Sequence, residues 1–313
     1  MRNILSLSLL LASVTSFAHG DRDWREDYIG YLSVEYEVPF SQLNTIKAHS
    51  PARLDMSFFK AKLAILTGAQ TFGTATIAER NKKENLDLTR SFLAEEYKKI
   101  GFTVTTHHFG SGVNFVAEKL GSTTPEKVLI LSSHIDSVKC RGANDNGTGT
   151  IGLLTVAKEL AKKNYGSTIR VLGFDKEEVG LVGSDAYASS LKSQDIIGNI
   201  NFEMMGVNAR NDGAFHVIDC NRTESLFLSQ EIKNSISSLG LPLSVVKSCT
   251  DRSDHASFWR NKIPAVVISE NFFGGDADPC YHAKCDVMDD RLNYDYMRNI
   301  LEATLDATEK LIR

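Results

Sequence analysis

Short apolar segments rich in β-branched residues alternate with longer segments of helical periodicity, and this alternation constrains the fold more than any other feature. Six apolar segments are bounded by turn residues: VNFVAE, KVLILSSH, TIRVLGF, IIGNINFE, AFHVID and IPAVVIS. Apolar residues recur at helical spacing in residues 57–66, 87–100, 149–163, 181–191, 223–239 and 292–312. The pattern predicts an α/β fold, in which a central, mostly parallel sheet is covered by helices on both faces.

The N-terminus has the three parts of a secretory signal peptide. Arg2 gives a basic start, the apolar stretch ILSLSLLLASV follows, and small residues lead to a cleavage site after Ala18. A membrane anchor needs about 20 apolar residues, which neither this stretch nor any later segment reaches. We predict a signal peptide over 1–18, a lead-in segment over 19–55 and one large domain over 56–313, in a secreted or periplasmic protein without a membrane span.

The charge of the chain argues against nucleic acid as a partner. The formal net charge is −4 at pH 7, and the lysines and arginines form no cluster interleaved with aromatic residues. Such a cluster is what would follow a phosphate backbone.

Five cysteines suit an oxidising compartment. Cys280 and Cys285 flank His282, and a disulfide between them would close a small loop around that histidine. Cys220 and Cys249 could form a second bridge and leave Cys140 unpaired, but cysteine spacing alone does not fix the connectivity. Metal ligation by these cysteines is a weaker interpretation, because none belongs to a CxxC pair.

Functional side chains of an α/β sheet gather just beyond the carboxyl ends of the strands. The segment KVLILSSH ends at His134, and Asp136 follows two residues later. A neutral imidazole is a good zinc ligand, and Asp136 could fix its tautomer and orientation. Taken alone, the pair also fits a buried structural histidine.

Acidic residues follow the next segments in similar positions. Asp145 lies in the glycine-rich turn GANDNGTG, which either caps a helix or offers a carboxylate that bridges two metal ions. Glu177 and Glu178 come after TIRVLGF, and adjacent residues near a strand end point in different directions. One of them can therefore ligate zinc while the other faces the reacting water as general base.

Two more candidates complete the set. Glu203 ends IIGNINFE, where it could instead cap a loop, and His282 lies in the cysteine-flanked segment DPCYH. Two histidines and three carboxylates supply nitrogen and oxygen ligands that suit zinc and leave positions open for water and substrate.

Six motifs, in this order and spacing, resemble the M28 family of zinc aminopeptidases, and in particular its secreted bacterial leucyl-aminopeptidase-like members: HIDSV, GANDNGTG, EEVGLVGS, FEMMG, SDHASFW and DPCYH. The resemblance covers roughly residues 55–312. It implies a zinc-exopeptidase (phosphorylase/hydrolase-like) fold, with a mixed sheet of eight strands between helices.

The resemblance also implies two zinc ions per chain and five ligands: His134, Asp145, Glu178, Glu203 and His282. Asp145 would bridge the ions, with His134 and Glu203 completing one site and Glu178 and His282 the other. The peptide bond between Asp145 and Asn146 would be cis.

The implied activity is hydrolysis of the N-terminal peptide bond of peptides with a free N-terminus. Glu177 would act as general base, and Asp136 would support the reaction by orienting His134. Met204, Phe272 and Phe273 are candidates for an apolar side-chain pocket, although such residues more often belong to the core.

The chain departs from the family pattern at three places. Glu203 stands where aspartate is usual, and Asn146 stands where a second aspartate is frequent. Close relatives have a tyrosine shortly before SDH that stabilises the oxyanion, whereas residues 249–252 here read CTDR.

Two other functions fit parts of this pattern. Glutaminyl cyclase, a single-zinc acyltransferase of the same fold, would need Asp145, Glu178 and His282, which are all present. The peptidase-like NDNGTG and the additional His134 favour the peptidase. A non-catalytic binding module would typically lack several ligands, whereas all five positions here hold competent side chains.

Overall fold

The computed structural model describes residues 52–191 and 194–313. The predicted signal peptide and nearly all of the predicted lead-in segment lie outside these residues. The described part contains a mixed sheet of eight strands with helices on both faces, as the sequence predicts.

The sheet has the strand order β1-β2-β4-β3-β5-β8-β6-β7. Its strands are β1 (Thr103–Phe109), β2 (Gly112–Lys119), β3 (Thr124–His134), β4 (Ser167–Phe174), β5 (Asp195–Glu203), β6 (Ala214–Ile218), β7 (Ser244–Val245) and β8 (Ala265–Glu270). Strands β4, β3, β5 and β8 form a parallel centre, whereas β1, β2 and β6 pair antiparallel with neighbours. His134 of β3 pairs with Phe174 of β4, so the carboxyl ends of the central strands meet at one edge.

Within residues 52–191 and 194–313, seven α-helices cover the sheet: α1 (Met56–Leu66), α2 (Lys83–Lys99), α3 (Gly149–Leu160), α4 (Val182–Ser190), α5 (Leu226–Leu239), α6 (His255–Arg260) and α7 (Tyr294–Leu311). The alternation of side chains along the strands divides the core between the two faces. Leu129 and Leu131 of β3 pack in the larger core with α1, α2, α3, α5 and α7. Val128 and Ile130 pack on the opposite face with α4 and α6.

Three elements are absent from the sequence-based prediction. β1 has the sequence TVTTHHF and lies at the edge of the sheet, where its largely exposed side chains give no apolar run. β7 has only two residues and α6 only six, which is too short for a periodic signal. Each is defined by its tertiary contacts rather than by its own sequence pattern.

Disulfides join Cys220 to Cys249 and Cys280 to Cys285, and Cys140 is a buried free thiol. This pairing is the one that the sequence suggested. Among the described residues, no helix has both the length and the apolar character needed to cross a membrane.

Candidate metal centre

The central strands deliver four of the predicted site residues to one edge of the sheet. His134 is the last residue of β3, Glu203 is the last residue of β5, and Glu177 and Glu178 lie in the loop after β4. Asp145 comes from the turn Ala143–Thr148 before α3. His282 lies in the loop closed by the disulfide between Cys280 and Cys285. All five predicted ligands are therefore brought together.

Asp145 lies at the middle of this group. Its Oδ1 is 3.3 Å from Nε2 of His134, and its Oδ2 is 3.2 Å from Nε2 of His282. Nε2 of His134 is also 3.4 Å from Oε1 of Glu203, and Nε2 of His282 is 3.0 Å from Oε2 of Glu178. Each carboxylate oxygen of Asp145 thus faces a different histidine, and each histidine also contacts a different second acid.

The same side chains form overlapping groups of possible metal ligands. One is His134, Asp145 and Glu203, another is Asp145, Glu178 and His282, and a third is His134, Glu177 and Glu178. Within each group, all ligand atoms lie within 4.8 Å of one another. Imidazole nitrogen and carboxylate oxygen at such spacing fit a zinc-type donor set.

Asp136 links His134 to the two glutamates. Its backbone carbonyl and its Oδ1 lie 3.2 and 3.5 Å from Nδ1 of His134. The other ring nitrogen, Nε2, therefore points toward the centre. The backbone N–H groups of Glu177 and Glu178 donate to its two carboxylate oxygens at 3.2 and 3.1 Å. Asp136 therefore fixes the strand-end turn that carries both glutamates as well as the histidine.

The backbone around Asp145 is held by Asp286, which sequence reasoning did not identify. The N–H groups of Asn144 and Asp145 donate to the two oxygens of Asp286 at 2.8 and 3.0 Å. The peptide bond after Asp145 is cis. Asp286 follows Cys285, so its proximity to the disulfide loop was the available signal.

Asn146 has a specific reason to be an amide. Its Nδ2 donates to the carbonyl of Phe202 at 2.8 Å, and its Oδ1 accepts from Gly149 and Met204 at 3.0 and 3.2 Å. An aspartate could not make the first of these hydrogen bonds. The amide therefore ties the turn that carries Asp145 to the end of β5.

Glu203 is oriented by a chain of buried polar groups. The hydroxyl of Ser253 donates to Oε2 of Glu203 at 2.7 Å, and Nδ2 of Asn201 donates to that hydroxyl at 2.8 Å. These contacts occupy one oxygen of the glutamate, while the other faces His134. Glu203 is therefore held between Ser253 and His134.

The acids and histidines of the cluster shift one another's protonation. Burial and the charge of Asp145 raise the pKa of Glu178 to about 7, against the effect of His282. Burial opposes the charged form of His282, but Asp145 and Glu178 raise its pKa to about 10. Burial also raises the pKa of Glu177 well above its ordinary value. The buried carboxylates therefore favour positive charge at this place, either on the imidazoles or from a bound cation.

A cavity opens over the cluster. Its apolar wall includes Met204, Phe272 and Phe273, the three predicted pocket residues, together with Ile218 and Val267. Tyr281 and Arg252 also line the cavity and were missed by sequence reasoning. Tyr281 directly precedes His282 in the motif DPCYH, which is the signal that could have identified it.

The chain matches peptidase family M28 over residues 114–308, which is more than half of its length. It belongs to this family.

Two curated relatives show how far the likeness of this M28 chain extends. Leupeptin-inactivating enzyme 1 from Streptomyces exfoliatus is 29% identical, over 90% of this chain and 66% of that enzyme. Leucine aminopeptidase 2 from Arthroderma otae is 32% identical, over 56% of this chain and 40% of that protein. The chain spans just under two thirds of the first relative's length and less than half of the second's.

This chain shares its fold with solved structures of both an aminopeptidase and a glutaminyl cyclase. The LapA aminopeptidase of Legionella pneumophila has a TM-score of 0.71 at 19% identity, over 87% of this chain and 79% of that chain. The glutaminyl cyclase of Fimbriiglobus ruber has a TM-score of 0.69 at 15% identity, over 85% of this chain and 98% of that chain. The fold alone therefore does not discriminate between peptidase and cyclase, and the side chains of the site have to.

Proposed function

We propose that this M28 chain is a secreted aminopeptidase that hydrolyses the N-terminal peptide bond of peptides and holds two zinc ions per chain. The observation that carries the proposal is the position of Asp145, whose two oxygens face two separate histidines. A single zinc held by Asp145, Glu178 and His282 would leave His134 and Glu203 without a metal ion to bind. The two disulfides fit the predicted export, and the domain is proposed to span residues 56–313.

The donor set fits zinc. His134, Asp145 and Glu203 would hold one ion, and Asp145, Glu178 and His282 would hold the other. Zinc at such a site lowers the pKa of water and polarises the scissile carbonyl. The protein residues supply the remaining functions.

Glu177 is the proposed general base. It lines the cavity beside Glu178, its backbone is fixed by Asp136, and burial raises its pKa, which makes its carboxylate a better proton acceptor. Its carboxylate would take a proton from the attacking water and return it to the leaving amine.

The cavity also provides substrate recognition. The acids of the centre would attract the free α-amino group of the substrate, which limits cleavage to the terminal residue. Met204, Phe272 and Phe273 would receive an apolar side chain. The hydroxyl of Tyr281 is the candidate donor to the oxyanion, in place of the tyrosine missing before SDH.

The test combines a metal count with two activity assays. Purified chain should bind two zinc ions and hydrolyse aminoacyl arylamides, with the highest rates for apolar residues. Cyclisation of N-terminal glutamine, with one zinc per chain and no arylamide hydrolysis, would contradict the proposal and favour the cyclase.

A further inference from the structure

Arg80 is a fully buried cation whose guanidinium binds backbone carbonyl groups. It is 0% exposed, and within the part of the chain that the structure describes its guanidinium donates to three carbonyl oxygens. Nε donates to Ile135 at 2.8 Å, and the two terminal nitrogens donate to Arg141 at 2.6 Å and to Gly142 at 2.9 Å. Burial of a guanidinium costs free energy unless its N–H groups are hydrogen-bonded. These three hydrogen bonds therefore fix the position of the side chain.

The three carbonyls belong to one loop, residues 135–142, which joins two of the proposed zinc ligands. His134 directly precedes the loop, and Asp145 follows it by three residues. The backbone N–H of Arg80 also donates to the hydroxyl of Ser137 at 3.0 Å. Arg80 therefore forms hydrogen bonds with the beginning, the middle and the end of the loop.

The same loop also contacts the other side of the centre. Asp136 accepts the N–H groups of Glu177 and Glu178, and the N–H of Val138 donates to Oε1 of Glu178 at 3.2 Å. A displacement of the loop would therefore move three proposed ligands and the proposed base together.

Gly142 shows how closely arginine and loop fit. Its φ is 59°, and a Cβ there would come within 2.6 Å of Nη2 of Arg80 and 2.4 Å of the carbonyl oxygen of Asp145. Any side chain at this position would push the guanidinium away from the loop. The close approach of the two backbone segments thus depends on both residues.

We infer that Arg80 is a positioning residue of the metal centre, which sets zinc affinity by fixing the loop between His134 and Asp145. The inference rests on the proposed function, because it concerns the same site. Arg80 precedes the matched residues 114–308, so the centre depends on a segment outside the matched region. Groups that orient metal ligands typically change metal affinity by about 10- to 100-fold when removed.

The experiment measures zinc dissociation constants by chelator competition for the full chain and two variants, Arg80→Lys and Arg80→Gln. Lysine keeps the charge but cannot present a planar fork to three carbonyls. We expect zinc affinity to fall about tenfold in Arg80→Lys and about 100-fold in Arg80→Gln. Arg80→Lys keeps the test valid if Arg80→Gln does not fold.

Arg170→Lys is the matched control. Arg170 lies in β4, outside the loop, and its guanidinium donates to Glu118 at 2.6 Å and to Gln194 at 2.7 Å. The zinc affinity of Arg170→Lys should equal that of the wild type.

The outcomes separate cleanly. A lowered melting temperature of the metal-free Arg80→Lys protein, with unchanged zinc affinity, would reduce Arg80 to a purely structural role and overturn the inference. Equal losses of zinc affinity in Arg170→Lys and Arg80→Lys would overturn it as well. A wild-type chain that binds no zinc would instead refute the proposed function.

Discussion

The two halves of the candidate centre share Asp145 but are built in different ways. The His134 half lies on the ends of β3 and β5, and the His134 side chain is only 2% exposed. The His282 half takes its histidine from a disulfide-closed loop, where φ is 56° and the side chain is 41% exposed. Sheet register positions one histidine, and a covalent loop closure positions the other.

This difference shows two ways of reducing the freedom of a ligand. In the first half, neighbouring strands and the chain from Asn201 through Ser253 to Glu203 limit movement by packing and hydrogen bonds. In the second half, the disulfide closes a short loop around His282, and Asp286 beside that loop holds the backbone of Asp145. Zinc affinity in the first half should fall when buried polar residues are substituted. Zinc affinity in the second half should fall when the disulfide is reduced.

The largest effect is expected at Glu177, the proposed general base. Glu177→Gln should lower kcat by about 10²- to 10⁴-fold, because it removes the proposed proton acceptor and keeps the shape of the side chain. Zinc content, measured by atomic emission, should stay at the wild-type value. Activity within tenfold of wild type would assign the base elsewhere.

Removal of each histidine tests whether the halves are separate sites. His134→Ala and His282→Ala should each bind one zinc ion per chain by calorimetric titration, since each leaves the proposed ligands of the other half in place. Loss of all zinc from either variant would show that the two halves load as one unit.

Opening of the disulfide should affect only the loop-built half. Cys280→Ser with Cys285→Ser should weaken one of the two zinc ions by about 10-fold or more, because the His282 loop gains freedom. The matched control replaces Cys220 and Cys249, whose bridge closes a different loop. Equal weakening in both double variants would remove the distinction.

A smaller effect is expected in the sheet-built half. Ser253→Ala removes the 2.7 Å hydrogen bond to Glu203 and should weaken one zinc by about tenfold. Ser132→Ala serves as control, because Ser132 belongs to the same polar chain but lies two hydrogen bonds beyond Ser253, on the side away from Glu203. If both variants bind zinc like the wild type, Glu203 does not need this support.

The smallest effect concerns pH and a histidine outside both halves. His216 is buried, with Nδ1 donating to the carbonyl of Val246 at 2.8 Å and Nε2 accepting from Phe273 at 3.2 Å. Burial lowers its pKa from 6.5 to about 4. Its folded pKa is depressed, so the stability it contributes is full above pH 6.5 and is lost as the pH falls toward 4.

The melting temperature of the metal-free protein should therefore fall between pH 7 and pH 5, by roughly 2 to 4 °C per kcal/mol lost. His216→Gln should make this part of the pH profile flatter. An unchanged slope would assign the acid sensitivity to other groups.

The sequence predicted six of the eight strands in the described residues, most of the helices and the approach of the five proposed ligands, because strand patterns and family motifs are local. His134 and Glu203 each end an apolar run, and the carboxyl ends of parallel strands meet at one edge. The fold brings these residues together as that rule expects.

The supporting residues could not be predicted in the same way. Arg80 lies in a polar turn before α2, and its three carbonyl partners exist only after the loop 135–142 has folded over it. Asp286 and Ser253 likewise act through tertiary hydrogen bonds.

The unequal exposure of the two histidines has a kinetic consequence. A chelator or an incoming metal ion would reach the half-open His282 side chain before the enclosed His134. Stripping should therefore be sequential, and brief dialysis followed by addition of a second metal should yield chains with a different ion in each half. Such mixed-metal protein would allow the contribution of each ion to be measured separately.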